Sequence, residues 1–377
     1  MVRILVQGWR GISHSYAMVN QYQLLELARR PDVTLQHQDV PFFRPEWNAQ
    51  RCSAGFDRGR AERIATLAPF DGTSPDITYR IAFPYRVYGA NAGRLFVFGT
   101  AERQRVVPEM IYQGPEAQRH YPVETIDIVT PSNWSKQGFV RYGFAEARVH
   151  VVPHGVDPAI FRPTERDERQ KQRRAMGLND DKFVFLNLGG TTANKGLDLL
   201  IRAFAVVHAR QPETVLLLKD CRALYGFTAE AHVHQTLAQY GLPEDLWHAI
   251  GVIPDNLDLD TLRLLYGTAD AYVSPYRAEG FNLPPLEAAA CGLPVLITEG
   301  GATDDYAHPS FAHKIAARPH STAGEDWLEP EFDSLVSGME ELAAGRKGSD
   351  LSIALPFIGE HFSWANVTGK LLAAFSA

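Results

Sequence analysis

The chain has 377 residues, of which 45% are hydrophobic and 21% are charged. This length suits about two domains, each able to bury a hydrophobic core. The formal net charge of −7 gives no general attraction to nucleic acid, so we expect no nucleic-acid partner. A basic segment at residues 162–174 also carries acidic residues, which is typical of an exposed interdomain helix.

The cysteine pattern indicates a reducing compartment. Cys52, Cys221 and Cys291 lie far apart, lack the spacing of metal ligands and cannot all pair with one another. No apolar run is long enough to span a bilayer, and residues 1–5 enter a strand rather than a signal peptide. We therefore expect a cytoplasmic protein.

The first half of the chain alternates strand and helix patterns. A strand at Val2 to Gln7 ends at Gly8, and a helical pattern begins near Tyr16. The loop between them lies at the carboxyl end of the strand, where open α/β sheets bind ligands. Further strand-like runs at residues 33–40, 76–82, 94–99, 127–130 and 149–152 predict a mostly parallel sheet.

A second alternating set follows the charged segment. A buried strand at 183–190 enters a glycine turn, and an amphipathic helix begins after Gly196. Lys195 thus lies in a strand-to-helix loop, where a lysine can neutralise diphosphate charge. The strand at 215–218 ends at Lys219. A later helix carries Leu262, Leu265, Tyr266 and Ala269, whose common face we predict to be core.

Residues 279–296 predict a loop, a helix and a strand. Pro284 and Pro285 fit a first helical turn, and Gly292 marks the end of the helix. The helix N-terminus near Asn282 then offers backbone N–H groups and the positive end of a dipole, which suit a diphosphate. Glu279 lies before the helix and Glu287 about one turn inside it, so both carboxylates could face one ligand.

This segment resembles the donor-binding signature of retaining glycosyltransferases with the GT-B fold, specifically the family-4 (GT4) group, also called glycosyl transferases group 1. Two glutamates seven residues apart carry the resemblance, with EGF, LPPLEA and CGLPVL around them. Segments 130–136, 151–157 and 161–163 and the ending Phe362-Ser363-Trp364 resemble the same family. The resemblance covers nearly the whole chain and is most specific in the last two-thirds.

The resemblance implies an α/β fold of two Rossmann-like domains that face each other across a cleft. Residues 1–163 would form the N-terminal, acceptor-side domain, and residues 164–355 would form the C-terminal donor domain. Residues 356–377 would form a helix that crosses back to pack on the N-terminal domain. The FSW ending also predicts that Ser363 caps this last helix. Ser132 is predicted to cap the helix that begins near Trp134.

The resemblance also implies roles for individual residues. Glu279 would contact the donor sugar, Glu287 the ribose hydroxyls, and Lys195 the departing diphosphate. The donor contacts would further include residues of the helix N-terminus, of the strand that frames the base and of the two glycine loops: Gly280, Phe281, Asn282, Leu283, Val252, Ile253, Gly11 and Gly190. On the acceptor side, Arg10 and His14 are candidates, and His14 is equally suited to cap the following helix.

The chain departs from the family pattern at two positions. The family usually has an arginine five residues before the lysine, and Gly190 stands there in this chain. Lys219 is a candidate replacement cation, although a strand-end lysine is commonly a surface residue. The family's usual histidine is absent from the strand end at 94–102, where Glu102 is either an acceptor or proton-transfer residue or a surface glutamate.

The implied reaction transfers a hexosyl group, with retention, from a UDP- or GDP-sugar to a hydroxyl of a glycan, a lipid-linked acceptor or a small glycoside, as in polysaccharide biosynthesis. The leaving phosphate can accept the acceptor's proton, so no dedicated base is required. The sequence shows no cluster with the spacing of metal ligands, so we expect no obligatory metal or other cofactor. Peripheral membrane contact stays open, as does the oligomeric state. The alternatives are a catalytically weak nucleotide-sugar-binding partner subunit and a nucleotide-sugar epimerase with the GT-B fold. A dehydrogenase is disfavoured because no G-x-G-x-x-G follows the first strand.

Overall fold

A computed structural model describes residues 1–89, 93–112, 126–322 and 325–377. The chain divides into two compact units. The first contains Met1–Gly155 together with Phe362–Ala377, and the second contains Val156–His361. The boundaries predicted after residues 163 and 355 both fall inside the second unit.

The strands, in chain order, are β1 Val2–Gly8, β2 Val33–Asp39, β3 Ile77–Ile81, β4 Arg94–Phe98, β5 Asp127–Thr130, β6 Val149–Val151, β7 Phe183–Leu188, β8 Thr214–Lys219, β9 Ile250–Ile253, β10 Ala271–Ser274, β11 Val295–Thr298, β12 Ala312–Ile315, β13 Ala317–Thr322 and β14 Glu325–Pro330. The helices are α1 Ser15–Leu27, α2 Arg58–Ala65, α3 Asn133–Tyr142, α4 Arg166–Ala175, α5 Leu197–Arg210, α6 Arg222–Tyr225, α7 Ala229–Tyr240, α8 Leu259–Thr268, α9 Leu283–Ala290, α10 Phe332–Ala343, α11 Leu351–Phe362 and α12 Trp364–Ser376.

The first unit contains a six-stranded parallel sheet in the order β2-β1-β3-β4-β5-β6. The interior strand β1 buries Ile4, Leu5 and Val6 in succession, as a parallel strand covered on both faces does. The chain moves from β1 to β2 on one side and then returns to β3 on the other. This change of direction opens a crevice at the carboxyl ends of β1 and β3, where α/β sheets bind ligands.

The second unit repeats this plan with the order β12-β11-β10-β7-β8-β9, also parallel throughout. Its core packs α5 and α10 against the sheet through Phe204, Leu216 and Met339, all of which are buried. The strand order reverses between β7 and β10, so the ligand-binding crevice predicted by topology lies between the loops that follow these two strands. The predicted alternation of strand and helix is confirmed in both units.

The last helix belongs to the first unit. The ring of Trp364 on α12 stacks on Tyr22 of α1 at 4.9 Å, and Phe375 contacts Phe96 of β4 at 4.8 Å. Ser363 occupies the N-cap position of α12, but its side chain makes no capping hydrogen bond, so the predicted Ser363 cap is wrong. The predicted Ser132 cap is confirmed, since Ser135 N donates to Ser132 Oγ at 3.1 Å.

The antiparallel hairpin of β13 and β14 in the second unit was not predicted from the sequence. It is tied to the loop after β10, because Leu328 N donates to Arg277 O at 2.8 Å. Among the helices of the described residues, none is long and apolar enough to cross a membrane.

Candidate functional site

The loop after β7 brings Lys195 to the crevice of the second unit. A short 3-10 turn at Ala193–Lys195 is followed by Gly196, whose φ of 70° is left-handed. A Cβ at Gly196 would lie 1.9 Å from Pro275 O, so only glycine permits this close approach to the loop after β10. The two loops are joined further, because Arg277 N donates to Asn194 O at 2.7 Å.

Lys195 and Glu279 form an ion pair between these loops. Lys195 Nζ donates to Glu279 Oε1 at 2.7 Å. The Glu279 side chain is 8% exposed, whereas the Lys195 side chain is 27% exposed, so the ammonium faces the open side of the pair. A low-dielectric surrounding strengthens such a charged contact. Glu279, predicted to contact the donor sugar, and Lys195, predicted to contact the departing diphosphate, therefore lie in direct contact.

Arg277 organises the loops that carry this pair. Its guanidinium donates twice to Asp198 of α5, at 2.7 and 2.9 Å, and to Glu329 of β14 at 3.1 Å. A further bond runs to Ala193 O at 2.9 Å, two residues before Lys195. Burial alone would lower the pKa of Arg277, but both carboxylates outweigh that effect and raise it, so the arginine stays charged.

Asn282 fixes the start of α9. It has left-handed backbone angles, φ 65° and ψ 72°, which asparagine tolerates better than most residues. Asn282 Nδ2 donates to Ser274 Oγ at 3.0 Å, and Tyr306 Oη donates to Asn282 O at 2.7 Å. These two bonds hold the strained residue from the end of β10 and from a second loop, so the direction in which α9 begins is determined before any ligand binds.

The N-terminus of α9 offers few but well-placed backbone donors. A helix leaves its first four N–H groups without an intrahelical acceptor. Two of these four positions are Pro284 and Pro285, which have no N–H. The donors that remain are the amides of Asn282 and Leu283, with Gly280 and Phe281 in the loop just before them. An anion at this end would thus be met by the same four residues that the sequence analysis proposed.

Glu287 lies about one turn inside α9 and is partly exposed. Tyr266 Oη on α8 donates to Glu287 Oε2 at 2.8 Å. Burial of the carboxyl raises the pKa of Glu287 to about 7, although the hydrogen bond from Tyr266 acts in the opposite direction. The sequence analysis assigned Tyr266 to the core. Its ring is buried there, but the contact of its hydroxyl with Glu287 was missed.

Lys219 ends β8 at the carboxyl edge of the sheet, and Gly190 lies in the loop just after the neighbouring strand β7. In the register of β7 and β8, Leu188 pairs with Lys219, and Gly189 N donates to Lys219 O at 3.1 Å. A Cβ at Gly190 would meet nothing within 4 Å, so the position of the family's arginine is open space. Burial lowers the pKa of Lys219, and its Nζ donates to Asp220 O. Lys219 is thus only partly solvated, unlike an ordinary surface lysine.

Lys195 and Lys219 both affect the pKa of the Cys221 thiol. Burial raises the pKa of Cys221, and the charges of Lys219 and Lys195 act to lower it. Lys219 at the end of β8 and Lys195 in the loop after β7 therefore both lie within electrostatic range of the Cys221 thiol. Val252 and Ile253 end the neighbouring strand β9, where both are half-buried, and Asp220 N donates to Ile253 O at 3.2 Å.

The first unit holds the acceptor-side candidates. Arg10 is paired with Asp39 through two bonds of 2.8 Å and also donates to Ile64 O at 2.7 Å. His14 caps α1, since Tyr16 N donates to its Nδ1 at 3.2 Å, and burial lowers its pKa to about 4. The helix-capping alternative for His14 is thus observed. At physiological pH this imidazole is neutral.

Gly11 and Glu102 also lie in loops at the carboxyl edge of the first sheet. Gly11 has a φ of 84°, and its amide donates to Gln21 Oε1 at 2.8 Å. Glu102 is exposed, and its backbone oxygen accepts a bond of 2.7 Å from Trp134 Nε1. Glu102 follows Thr100, whose Oγ1 lies 3.0 Å from the hydroxyl of buried Tyr16.

A cavity of about 330 Å³ lies at the carboxyl ends of β1, β2 and β3 in the first unit. Buried Arg80 lines it and donates to Gln7 Oε1 at 2.7 Å and to Gly89 O at 2.6 Å. Gln7 in turn donates to Gln38 Oε1 at 2.6 Å. Asp39, the partner of Arg10, also lines the cavity. Its wall is therefore rich in planar amide, carboxylate and guanidinium groups, which sequence reasoning did not bring together.

The two parallel sheets, each with a crevice at its strand reversal, together with the lysine–glutamate pair beside a helix N-terminus, define a protein of the GT-B class. A family model described as "Glycosyl transferases group 1" matches residues 168–322, which include Lys195, Glu279 and Glu287. This match covers less than half of the chain and lies within the second unit.

Curated relatives and solved structures agree with this assignment. D-inositol 3-phosphate glycosyltransferase of Mycobacterium marinum is 26% identical over 66% of this chain and 49% of its own length. The protein of the same name from Actinosynnema mirum is 30% identical over 62% of this chain and 53% of its own length. The chain thus spans about half the length of the curated relatives that it matches.

Two solved structures share the fold over essentially the whole chain. A glycosyltransferase from Rickettsia africae superposes with a TM-score of 0.72 at 14% identity, covering 100% of this chain and 98% of the other. The Anabaena protein HepE, solved in complex with UDP and glucose, superposes with a TM-score of 0.66 at 14% identity, covering 100% of both chains. At such low identity these likenesses bear on the fold.

Proposed function

We propose that the protein is a retaining glycosyltransferase that moves a hexosyl group from a nucleoside diphosphate sugar to an acceptor hydroxyl. The observation that carries this proposal is the 2.7 Å pair of Lys195 and Glu279 beside the N-terminus of α9, with Glu287 one turn inside that helix. A cation, a set of amide donors and two carboxylates then surround one crevice. The complexes of HepE with UDP and with UDP-glucose support a nucleotide-sugar donor for this fold.

Each part of a nucleotide sugar would meet a group suited to it. The diphosphate would lie against the amides of Asn282 and Leu283, where the dipole of α9 favours negative charge. Lys195 would turn from Glu279 to the diphosphate, and Glu279 would then accept hydrogen bonds from the sugar hydroxyls. Glu287 would accept bonds from the ribose hydroxyls.

The base is proposed to lie near Val252 and Ile253 at the end of β9, the strand that neighbours β8. In the first unit, Gly11 is proposed to approach the donor phosphates. Its left-handed backbone and lack of a side chain suit a close approach.

The proposed reaction breaks the bond between the anomeric carbon and the diphosphate oxygen. A new bond from the acceptor oxygen forms on the same face of the sugar, and the departing diphosphate takes the acceptor's proton. Charge develops on the leaving oxygen, so a preorganised ammonium and amides stabilise the transition state more than the ground state. No group of three or more His, Cys, Asp or Glu side chains within the described ranges is arranged to hold a metal ion. The proposed chemistry relies on Lys195 and the helix.

Lys219 is proposed to supply the second positive charge in place of the family's arginine. Lys219 pairs in the β7–β8 register with Leu188, two residues before Gly190, and its charge, like that of Lys195, acts to lower the pKa of the Cys221 thiol. A diphosphate would give Lys219 a better partner than the carbonyl of Asp220 that it now contacts.

The acceptor is proposed to bind at the carboxyl edge of the first sheet, near Arg10, His14 and Glu102. Glu102 is exposed at this edge, and a carboxylate accepts hydrogen bonds from hydroxyl groups. Arg10 would act through Asp39, which lines the polar cavity, and neutral His14 would act as a hydrogen-bonding group. The names of the curated relatives make D-inositol 3-phosphate a first acceptor to test beside glycans and lipid-linked sugars.

The donor proposal is tested by thermal shift with UDP, GDP, ADP and dTDP on the wild type, Glu287→Gln and Glu244→Gln. Glu244 is an exposed glutamate of the same unit and serves as the matched control. We expect one nucleotide to raise the Tm of the wild type and of E244Q, and to raise that of E287Q much less. No shift with any of the four nucleotides would overturn the proposal.

A second function, a nucleotide-sugar-binding subunit with little activity, is favoured by one observation, the open space at Gly190. The nucleotide that raises the Tm would be supplied as the corresponding nucleotide sugar. Release of the nucleotide would then be measured with D-inositol 3-phosphate, glycans and lipid-linked sugars as acceptors. If Lys219 replaces the missing arginine, Lys219→Met should lower turnover far more than it lowers donor binding. A wild type that binds the donor tightly and transfers to no acceptor would support the binding subunit instead.

A further inference from the structure

Glu287 has a protein hydrogen-bond partner on only one of its two oxygens. Tyr266 Oη donates to Oε2 at 2.8 Å, and within the described residues no other hydrogen bond to the Glu287 side chain is found. Oε1 is therefore the oxygen that is left for a ligand. Because Glu287 is partly exposed, a ligand in the crevice can reach it.

The position of the tyrosine hydroxyl is fixed by the packing of its ring. Tyr266 has 0% exposure, and its ring lies 6.0 Å from Phe161 and 6.2 Å from Tyr272, measured between centroids. A tyrosine enclosed in this way cannot follow a carboxylate that rotates. The hydroxyl instead sets the plane of the Glu287 carboxylate, which lies on a different helix.

The other charged or titratable groups near Glu287 do not provide this contact. Tyr272 uses its hydroxyl on the backbone of Leu188, at 3.1 Å from both N and O. Cys291, one turn later on the same helix, is buried with its pKa raised above the ordinary thiol range, so it stays neutral. Arg263 of α8 is paired with Glu168 at 3.1 Å. Tyr266 is thus the group that contacts the Glu287 carboxylate directly.

We propose that Tyr266 is a positioning residue for donor recognition, which holds the Glu287 carboxylate turned so that Oε1 faces the ribose hydroxyls of the nucleotide. This inference rests on the proposed function, since it requires that the crevice takes a nucleoside diphosphate. It goes further by assigning a recognition role to a core residue that touches no ligand.

A change in pH dependence follows from this geometry. Burial raises the pKa of Glu287 to about 7, and the Tyr266 hydrogen bond lowers it, so loss of the hydroxyl moves this pKa upward. An ionised carboxylate accepts hydrogen bonds from both ribose hydroxyls better than a protonated one does. Nucleotide affinity in the wild type should therefore fall as the pH drops below about 7, and in Tyr266→Phe this fall should begin at a higher pH.

The experiment measures the Kd of the best-binding nucleotide from the panel of UDP, GDP, ADP and dTDP by calorimetry between pH 5.5 and 9. We expect Tyr266→Phe to weaken binding at pH 7 by about tenfold, as loss of a hydrogen bond to a charged group does. The midpoint of its pH profile should lie above that of the wild type. Tyr272→Phe removes a buried hydroxyl from the same core without touching Glu287, and its midpoint should equal that of the wild type.

A double variant separates positioning from general damage to the core. Glu287→Gln removes the carboxyl titration, so its pH profile should keep only the titration of the nucleotide's own terminal phosphate, whose pKa is about 6. Adding Tyr266→Phe to Glu287→Gln should weaken binding little further and should not move that profile. If the effects of the two substitutions add fully, or if the midpoint of Tyr266→Phe equals that of the wild type, Tyr266 is only structural and the inference is wrong. A wild type that binds none of the four nucleotides would instead contradict the proposed function itself.

Discussion

Replacing Arg277 by lysine tests whether one side chain holds the donor loops together. Arg277→Lys keeps the charge but cannot reproduce the paired bonds to Asp198 at 2.7 and 2.9 Å together with the bond to Ala193 O. A bond to a charged group contributes about 1.5–3 kcal/mol when it is partly buried, and the Arg277 side chain is 14% exposed. The contact with Glu329, whose side chain is 43% exposed, adds at most about 1 kcal/mol.

We therefore expect Arg277→Lys to lower the free energy of unfolding by about 2–3 kcal/mol. The measurement is urea unfolding followed by circular dichroism. The matched control is Arg210→Lys on α5, whose guanidinium is 62% exposed and lies 2.7 Å from Glu340, and we expect it to cost less than about 0.5 kcal/mol. Equal costs for the two substitutions would refute the view that Arg277 organises the loops.

The same pair has a predictable pH dependence. For Asp198, burial raises the pKa, but the hydrogen bonds and charge of Arg277 outweigh burial, so the net pKa lies below its ordinary value. A depressed carboxyl pKa stabilises the fold at neutral pH, and this contribution is lost as the pH falls through the folded-state pKa. The difference in stability between the wild type and Arg277→Lys should accordingly shrink in acid, and a constant difference would argue against the ion pair as its cause.

Substitutions at three further positions test other parts of the structure. Gly196→Ala should cost more than about 3 kcal/mol or prevent folding, because its Cβ would lie 1.9 Å from Pro275 O, and an unchanged Tm would contradict the close approach. Asn282→Ala should cost about 2 kcal/mol in urea unfolding, from the left-handed backbone and the lost bond to Ser274 Oγ, whereas Asn282→Gly should cost about half as much. Burial lowers the pKa of His154 to about 3, so as the pH falls the unfolded chain binds a proton before the folded protein does, and the free energy of unfolding decreases below pH 6.5. His154→Phe should remove about 2–3 kcal/mol of this acid destabilisation at pH 4.5. Identical pH profiles of stability for the wild type and His154→Phe would contradict this prediction.

The fold was predictable because its signals are local. Short apolar runs bounded by glycine and proline mark parallel strands, and the alternation of these runs with helical periodicity specifies two α/β units. The hairpin of β13 and β14 carries no such signal, since Arg318 and His320 interrupt any apolar alternation. Its stability depends on a distant partner, the backbone and side chain of Arg277, which no local pattern reveals.

The candidate site was predictable only in part, for a related reason. Glu279 and Glu287 stand in one short segment with recognisable neighbours, whereas the contacts that orient them come from far along the chain. Tyr266 is 21 residues from Glu287, and Arg277 is 79 residues from Asp198. A helical pattern assigns the Tyr266 ring to the core correctly but says nothing about which group its hydroxyl meets.

Gly190 stands where the family usually has an arginine, and the proposed role of Lys219 would let the site keep a charge that the aligned position lacks. Parallel strands in register end at the same edge of a sheet, so a side chain at the end of β8 reaches the same crevice as one in the loop after β7. Leu188 and Lys219 are register partners, and the open space at Gly190 leaves room beside them. A lysine on the neighbouring strand would supply the positive charge that the arginine otherwise places near the diphosphate. A comparison of sequences position by position would record only the loss of the arginine, because the replacement lies 29 residues later, on another element.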